Sequence, residues 1–256
     1  MTVWIGTSGW QYRDWRGRFY EPRLPLRSWL EFYASRFETV ESNNAFYRLP
    51  ERHTFEDWAA RTPPGFIVTV KVSRYLTHIL RLREPEEPVE RFVDRVTGLG
   101  GKLGPVLLQL PPQLTCDAAR LDHALGRFPP EMRVAVEFRH SSWFTGDIRR
   151  LLERHRAALC LADRRGVLTP LWRTADWTYL RFHQGRARPR PSYGRAALAS
   201  WAQRLAADWS DADAFVFFNN DHRACAPHDA ARFATAVRRV GLEPSRVPAS
   251  RTIRVR

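Results

Sequence analysis

Runs of apolar residues that each end in a polar or charged residue recur about eight times along this chain, and helix-like segments separate most of them. Apolar strands that alternate with helices are typical of parallel βα units, whose sheet is covered by helices. About eight such units in 256 residues match the size of one (β/α)8 barrel. We therefore predict an α/β fold, a single-domain (β/α)8 TIM barrel. Its predicted strands are residues 3–6, 39–43, 66–71, 106–109, 134–137, 159–163, 178–183 and 214–219.

Most segments between these strands carry apolar residues at helical spacing. The segment at 164–176 is the exception, because Gly166 and Pro170 leave room for little helix. We expect one helix to be reduced or missing after strand six. The barrel should occupy residues 1–243, and the Pro- and Arg-rich C-terminal tail at 244–256 should be loosely ordered. The predicted helices are residues 26–37, 54–61, 89–97, 117–127, 147–156, 195–208 and 229–240.

The composition limits the class of protein. A hydrophobic content of 44% is enough for a sizeable core. No apolar run approaches the length of about 18 residues that a membrane-spanning helix needs, and the first residues read as a strand rather than a signal peptide. The three cysteines, Cys116, Cys160 and Cys225, form no CxxC pair and suit a reducing compartment. We predict a cytoplasmic protein without membrane contact.

The net charge of +14 raises the possibility of a polyanion partner, since clustered cations bind phosphate. However, only Lys71 and Lys102 are lysines among 41 basic residues, and an Arg-rich chain of this kind is also typical of genomic base-composition bias. Nucleic acid is therefore a possible partner that charge alone does not establish.

Side chains two residues apart on a strand share a face. Charged and polar residues at the strand ends would face inward at the barrel mouth, because burying them unpaired under the helices is costly. One alternative is a salt-bridge network that only stabilises the fold. Convergent acids and cations also shift one another's pKa values, as acid–base sites require, and we favour this functional interpretation for the set. Its members are Glu41 with Asn43, Thr69 with Lys71 and Ser73, Glu137 with Arg139, Tyr179 with Arg181 and His183, and the single ends Gln109 and Asp163.

Two long loops and the end of the last strand extend this set. The loop at 72–88 contains His78, and the basic loop at 184–194 contains Tyr193. An anion could dock against Arg181 and the arginines of the second loop, or that loop could simply be solvated. Asn219, Asn220 and Asp221 could grip hydroxyls, a nucleobase edge or a metal, but the same residues also form turns and helix caps.

No organic cofactor is predicted. The turn at 6–9 lacks the Gly-Lys that follows in a phosphate-binding loop. A divalent metal is possible but not favoured, since no HxH or HExxH spacing is present and the nearby cations oppose it. Its potential ligands would be Glu41, Glu137, Asp163, His183 and Asp221. The aromatic residues Trp10, Tyr12, Trp15, Phe19 and Tyr20 could stack on a ligand or close the barrel rim.

Short motifs follow one another in a fixed order between about residue 3 and residue 240. They are Ile5-Gly6-Thr7-Ser8-Gly9-Trp10, Thr39-Val40-Glu41-Ser42-Asn43 with Phe46-Tyr47-Arg48, Lys71 with Thr77-His78, Gln109-Leu110-Pro111-Pro112, Glu137-Phe138-Arg139-His140 with Ser142-Trp143-Phe144, Tyr179-Leu180-Arg181-Phe182-His183, and Phe218-Asn219-Asn220-Asp221. Together these motifs resemble the YecE-like family, named domain of unknown function 72. Two positions depart from its pattern: Ser42 stands where the family usually has Ile or Leu, and Gln184 separates His183 from Gly185 where His-Gly is usual.

The resemblance implies a TIM barrel and no established activity. The family's barrel is likened to the endonuclease IV and xylose isomerase group, which suggests DNA or sugar-phosphate ligands.

We favour an enzyme, a hydrolase, lyase or isomerase, acting on a small phosphorylated or polyhydroxylated ligand. Glu137 or Glu41 would be the general base and His183 the acid, with Asp163 as a further catalytic candidate. The alternatives are a nucleic-acid-binding protein or repair-type nuclease and a non-catalytic binding barrel. The predicted ligand-binding residues are Asn43, Tyr47, Lys71, His78, Gln109, Arg139, Trp143, Arg181, Tyr193, Asn219, Asn220 and Asp221.

Overall fold

Eight parallel strands alternate with helices in the computed structural model, which describes residues 1–164, 169–188 and 190–255. The strand order in the sheet is β1-β8-β7-β6-β5-β4-β3-β2, and every pairing is parallel. The predicted TIM barrel is confirmed. Its strands are β1 (Val3–Thr7), β2 (Thr39–Ser42), β3 (Ile67–Lys71), β4 (Leu103–Gln109), β5 (Val134–Glu137), β6 (Ala158–Asp163), β7 (Trp177–Phe182) and β8 (Asp213–Phe218).

The helices surround the sheet and bury an apolar stripe against it. The predicted helix at 195–208 matches α7 to the residue, whereas the helix predicted from Thr54 begins two residues earlier, at Arg52, because Glu51 rather than Thr54 is its N-terminal cap residue. The helices are α1 (Trp29–Arg36), α2 (Asn44–Tyr47), α3 (Arg52–Ala60), α4 (Glu86–Val96), α5 (Ala118–Leu125), α6 (Gly146–Arg154), α7 (Arg195–Asp208) and α8 (Cys225–Arg239).

The barrel closes between β1 and β2 by an isolated parallel bridge from Ser8 to Glu41. A side chain on Gly6 would collide with the backbone of Thr39, since a Cβ there would lie 2.4 Å from the Thr39 carbonyl oxygen. The hydroxyl of Tyr33 fills the remaining gap: it accepts the Thr7 N–H at 3.0 Å and donates to the Thr39 carbonyl at 3.2 Å. The missing glycine side chain and one tyrosine thus allow the two strands to meet.

The barrel interior has two chemically different layers. Leu107, Ala135 and Tyr179 belong to an apolar cluster inside the barrel. Two residues further along the same strands, on the same face, lie Gln109, Glu137 and Arg181. Because Leu107 pairs with Ala135 and Gln109 with Glu137, the register keeps the layers separate.

The segment between β6 and β7 carries no helix in its described part, residues 169–176, whereas residues 165–168 lie outside the described residues. This agrees with the reduced helix expected after strand six.

The expected loose order of the C-terminal tail is incorrect. Ser245 donates its N–H to the Val3 carbonyl at 2.8 Å, and its hydroxyl accepts the Ile5 N–H at 2.9 Å. Ile253 is buried, with 5% of its surface exposed. The tail packs here because β1 leaves backbone groups unpaired on the edge that faces β2.

Within the described ranges, no helix combines the length and the apolar character needed to cross a bilayer.

Candidate functional site

Arg181, at the end of β7, holds two buried carboxylates at the mouth of the barrel. Its Nη1 lies 2.7 Å from Oε2 of Glu137, and its Nη2 lies 2.7 Å from Oε1 of Glu41. The Arg181 side chain is only 1% exposed, and both glutamates are fully buried. The other oxygen of Glu41 accepts the Tyr179 hydroxyl at 2.7 Å. Both carboxylates are thus fixed by charge-assisted hydrogen bonds.

A chain of hydrogen bonds runs from Glu137 to Lys71. The Gln109 amide donates to Oε2 of Glu137 at 2.9 Å, and its carbonyl oxygen accepts from Lys71 Nζ at 2.8 Å. Lys71 Nζ also lies 3.7 Å from the centre of the Phe46 ring. The lysine therefore contacts a neutral amide and an aromatic face.

His183 lies beside Glu137 at the other side of the mouth. Its Nε2 is 3.2 Å from Oε1 of Glu137, outside hydrogen-bond geometry, and Arg139 Nε donates to that same oxygen at 3.2 Å. The Asn219 amide lies 3.3 Å from His183 Nδ1. Because an amide N–H can only donate, Nδ1 is the acceptor and a neutral ring carries its proton on Nε2.

The charges around Glu137 set its ionisation. Burial alone would raise the pKa of Glu137, but the positive charge of Arg181, with His183 and Arg139 beside it, holds this pKa well below its usual value. Burial lowers the pKa of His183, and the charge of Glu137 only partly offsets that effect. At neutral pH the site therefore contains an ionised Glu137 and a neutral His183.

Two further basic side chains in the mouth bind a proton less readily than usual. Burial, followed by the charge of Arg181, lowers the pKa of Lys71 to about 7. Burial and the charge of Lys71 lower the pKa of His78 to about 4. A lysine that loses its proton near neutral pH is a common feature of functional sites.

A cavity of about 410 Å³ lies above this network. Four of its lining side chains are arginine or lysine, and no carboxylate is among the described residues that line it. The excess of cations makes the cavity electropositive. Its lining residues are Asn43, Phe46, Tyr47, Lys71, Arg74, His78, Gln109, Arg139, Arg181 and Asn219.

Several buried polar atoms at the mouth have no hydrogen-bond partner among the described residues. They are Nε of Arg181, Oδ1 of Asn43 and Nε2 of His183. Buried polar atoms are normally satisfied, so these atoms are suited to contact a ligand or ordered water.

A family model described as "Protein of unknown function DUF72" matches residues 4–252. The chain belongs to the DUF72 family. Over 143 residues it is 31% identical to the UPF0759 protein YecE of Escherichia coli K12, a match that covers 56% of this chain and 50% of that protein. The chain thus spans about half the length of the YecE proteins that it matches.

Solved DUF72 structures share the fold of this barrel. A DUF72 family protein of Thermotoga maritima MSB8 superposes with a TM-score of 0.83 at 27% identity, covering 93% of this chain and 100% of that one. Another, of Enterococcus faecalis V583, superposes with a TM-score of 0.79 at 19% identity, covering 93% and 96%, and supports the fold alone.

Most of the predicted site residues converge on the mouth of this DUF72 barrel. The residues that do so are Glu41, Asn43, Tyr47, Lys71, His78, Gln109, Glu137, Arg139, Arg181, His183 and Asn219.

Asp163 does not join them, so the interior position expected for this residue is incorrect. It shares the face of β6 that buries Leu159 and Leu161 under the helices, and its carboxylate accepts the indole N–H of Trp201 on α7. Tyr193 lies beside it, where its hydroxyl donates to the Asp163 carbonyl at 3.2 Å. Both residues line a separate cavity of about 410 Å³ between β6, β7 and α7.

Trp143 and Asn220 are also outside the mouth. Trp143 is fully buried, stacks on Phe138 and donates its indole N–H to the Leu114 carbonyl at 2.8 Å. The Asn220 amide donates to Asp229 at 2.9 Å. The positions expected for these two side chains at the ligand site are incorrect, because the Trp143 indole N–H and the Asn220 amide N–H bond to groups in the packing around the barrel.

Asp221 lines a neighbouring cavity of about 380 Å³ with Trp10 and Tyr12, which shares Asn43, Tyr47 and Asn219 with the cationic cavity. Burial raises the pKa of Asp221. The remaining aromatic residues of the N-terminal loop, Trp15, Phe19 and Tyr20, pack on one another in the core. They close the rim, whereas Trp10 and Tyr12 reach a cavity.

Three residues of the network were not among the predicted site residues. Tyr179 was placed with Arg181 and His183 by the alternation of the strand, but no catalytic or binding role was predicted for it. Arg74 was visible only as part of the long loop after β3. Phe46 carries no chemical signal in the sequence, because an aromatic residue in a four-residue helix is usually core.

No group of three or more His, Cys, Asp or Glu side chains in the described ranges is arranged to hold a metal ion. The carboxylates that could have served, Glu41 and Glu137, both contact Arg181 instead.

Proposed function

We propose that this DUF72 barrel is an enzyme that acts on a small ligand carrying a phosphate or carboxylate group, bound in the cavity above Arg181. The observation that carries this proposal is the charge of that cavity, whose lining contains Lys71, Arg74, Arg139 and Arg181 but no carboxylate from the described residues. Glu41 and Glu137 lie beneath it and offset part of the charge. An anion is the ligand that such a surface stabilises most.

In this proposal the two glutamates position other groups instead of acting as bases. Glu41 is occupied by Arg181 and Tyr179, and Glu137 accepts from Arg181, Gln109 and Arg139. A carboxylate whose pKa is held well below its usual value is a weak base. His183 takes the role of the proton-transfer group, oriented by Asn219 and Glu137.

Titration calorimetry with inorganic phosphate tests the anion site. Phosphate should bind the unmodified protein, and Arg139→Gln should weaken its affinity at least tenfold, because this removes one cation from the cavity lining. The matched control is Arg188→Gln, an exposed arginine outside that cavity, which should leave the affinity unchanged. Equal loss in both variants, or no phosphate binding, would refute the site.

A nucleic-acid partner is a second candidate, favoured by the exposed side chains of Arg186 and Arg188 on the loop after β7. It predicts retention on DNA that weakens steeply with salt and depends on these two arginines rather than on Arg139.

Phosphate binding with no turnover of any phosphorylated compound would favour a non-catalytic binding barrel. The three free cysteines and a phosphorylated ligand are both typical of the cytoplasm, which we propose as the location.

A further inference from the structure

Lysine is almost absent from this protein, since Lys71 and Lys102 are the two lysines among 41 basic residues. Arginine supplies a positive charge equally well, but its guanidinium stays protonated in proteins, whereas a lysine amine can lose its proton and react. We therefore ask of Lys71 and of Lys102 what a lysine does at that position that an arginine could not do.

Lys102 has a structural reason. Its ammonium donates to the carbonyl oxygens of Ala59 and Thr62 at 2.6 and 2.5 Å and to the Thr62 hydroxyl at 3.1 Å. Three acceptors around one nitrogen match the three N–H groups of an ammonium. A planar guanidinium could not reproduce this compact arrangement.

Lys71 has no such set of acceptors. Among the described residues its only hydrogen bond is to the neutral Gln109 amide, at 2.8 Å, and its other close neighbour is the Phe46 ring. It is 7% exposed and lines the cationic cavity. A buried ammonium without a carboxylate partner is costly, so charge alone is a poor explanation of this position.

The charged groups around Lys71 come from three strands and from the residues that follow one of them. Glu41 on β2 and Glu137 on β5 favour its protonated form, whereas Arg181 on β7 and Arg139 after β5 oppose it. The nearest loop adds His78, whose pKa is lowered to about 4 by burial first and then by the charge of Lys71. Both glutamates are engaged by Arg181, so desolvation prevails and lowers the pKa of Lys71 to about 7.

We propose that Lys71 is a nucleophilic amine that forms an imine with the ligand, an aldehyde or ketone that also carries a phosphate or carboxylate. This inference rests on the proposed anion site. The anionic group lies against Arg139 and Arg74, and the carbonyl carbon lies at Lys71 Nζ. The proposal narrows the reaction to a lyase or isomerase, because an imine accepts the electron pair that is left when a neighbouring C–C or C–H bond breaks.

The imine step balances without any further reactant. The unprotonated amine attacks the carbonyl carbon, a C–N bond forms, and the carbonyl π electrons move to oxygen. The resulting carbinolamine loses its oxygen as water together with the two amine protons, and a C=N bond remains. Hydrolysis of this bond by water releases the product and restores the amine.

Reductive trapping tests the amine directly. The intact protein is incubated at pH 7 with cyanoborohydride and an anionic aldehyde, either pyridoxal 5′-phosphate or the smaller glyoxylate, and the labelled sites are located by mass spectrometry of peptides. We expect at least one of these aldehydes to label Lys71 at least tenfold faster than Lys102. Lys71→Arg should abolish the fast labelling while remaining folded by circular dichroism, and Lys102→Arg should leave it unchanged.

The proposal is overturned if both aldehydes label Lys71 no faster than Lys102. Inorganic phosphate separates this failure from failure of the anion site. If phosphate binds in calorimetry but Lys71 is not labelled faster than Lys102, the proposed anion site is supported and the nucleophilic role of Lys71 is refuted. If Lys71 reacts fast but phosphate neither binds nor slows the labelling, the amine stands and the anion site fails.

Discussion

The two layers inside the barrel are built on the same strands but from opposite chemistry. Ala135 and Tyr179 lie in the apolar layer, and Glu137 and Arg181, two residues further on, lie in the charged layer. The apolar layer is a packed core of the kind that stabilises a barrel, whereas the charged layer contains buried ions, which are weak stabilisers. The comparison indicates that the apolar layer serves stability, and we propose that the charged layer serves to bind a ligand.

Removing the central cation should have the largest effect. Arg181→Met leaves Glu41 and Glu137 buried without their shared partner, and we expect a loss of about 3–5 kcal/mol in the free energy of unfolding. Urea denaturation at pH 7 measures this loss. The triple variant that adds Glu41→Gln and Glu137→Gln should recover at least half of it.

The apolar layer provides the contrast for this variant. Leu107→Ala should lower the free energy of unfolding by about 3 kcal/mol, because it leaves a cavity in the core, and this loss should not depend on pH. The cost of Arg181→Met should shrink on acidification, because protonation relieves the unpaired carboxylates. Equal pH dependence in both variants would contradict the division into two layers.

Acidification should destabilise the unmodified protein through Glu137. Its pKa in the folded state is held well below the usual value of 4.5, so its stabilising contribution is complete above about pH 4.5 and is lost as the pH falls below that value. We expect Glu137→Gln to remove about 2 kcal/mol of this pH dependence, the typical contribution of one paired carboxylate. The free energy of unfolding of both proteins is measured between pH 3 and 6. Identical slopes against pH for the unmodified protein and Glu137→Gln would show that the cations do not hold Glu137.

Asp163 provides a further control, because its side chain lies under the helices and not in the charged layer inside the barrel. Asp163→Asn should cost about 1 kcal/mol in stability by weakening the hydrogen bond from Trp201. Phosphate affinity in calorimetry should stay unchanged, because Asp163 does not line the cationic cavity. A tenfold loss of phosphate affinity would instead place Asp163 in the site.

Lys71→Met should have the smallest effect, and it should stabilise the protein, unlike the variants above. We expect a gain of about 1 kcal/mol in the free energy of unfolding at pH 7, since functional sites often reduce stability. The pKa of Lys71 is about 7 in the folded protein against 10.5 ordinarily, so between these values the unfolded chain binds more protons. Stability of the unmodified protein should therefore rise with pH in this window. The advantage of the variant should be largest below pH 7 and should shrink and then reverse as the pH rises toward 10.5. An advantage independent of pH would contradict the account.

Much of this fold could be predicted from the sequence because a parallel barrel strand is a short apolar run with a polar end. The alternation rule also placed Glu137 with Arg139 and Tyr179 with Arg181. The same rule excludes Asp163 from the barrel interior, because Asp163 lies two and four residues after Leu161 and Leu159 and therefore shares their outward face of β6.

Other features depend on tertiary packing that no local pattern encodes. The indole N–H of Trp143 donates to the Leu114 carbonyl, and the C-terminal tail pairs with the edge of β1 that faces β2. The pairing of Arg181 with Glu41 joins residues 140 positions apart. The role of Glu41 as a partner of Arg181 rather than a free base is visible only once these distances are known.

The most direct test of the anion site is the position of a bound anion. Crystals of the unmodified protein soaked in selenate would reveal each bound oxyanion by anomalous diffraction. We predict a peak in the cavity lined by Lys71, Arg139 and Arg181. Selenate found only on exposed arginines such as Arg186 and Arg188, with none in that cavity, would contradict the account.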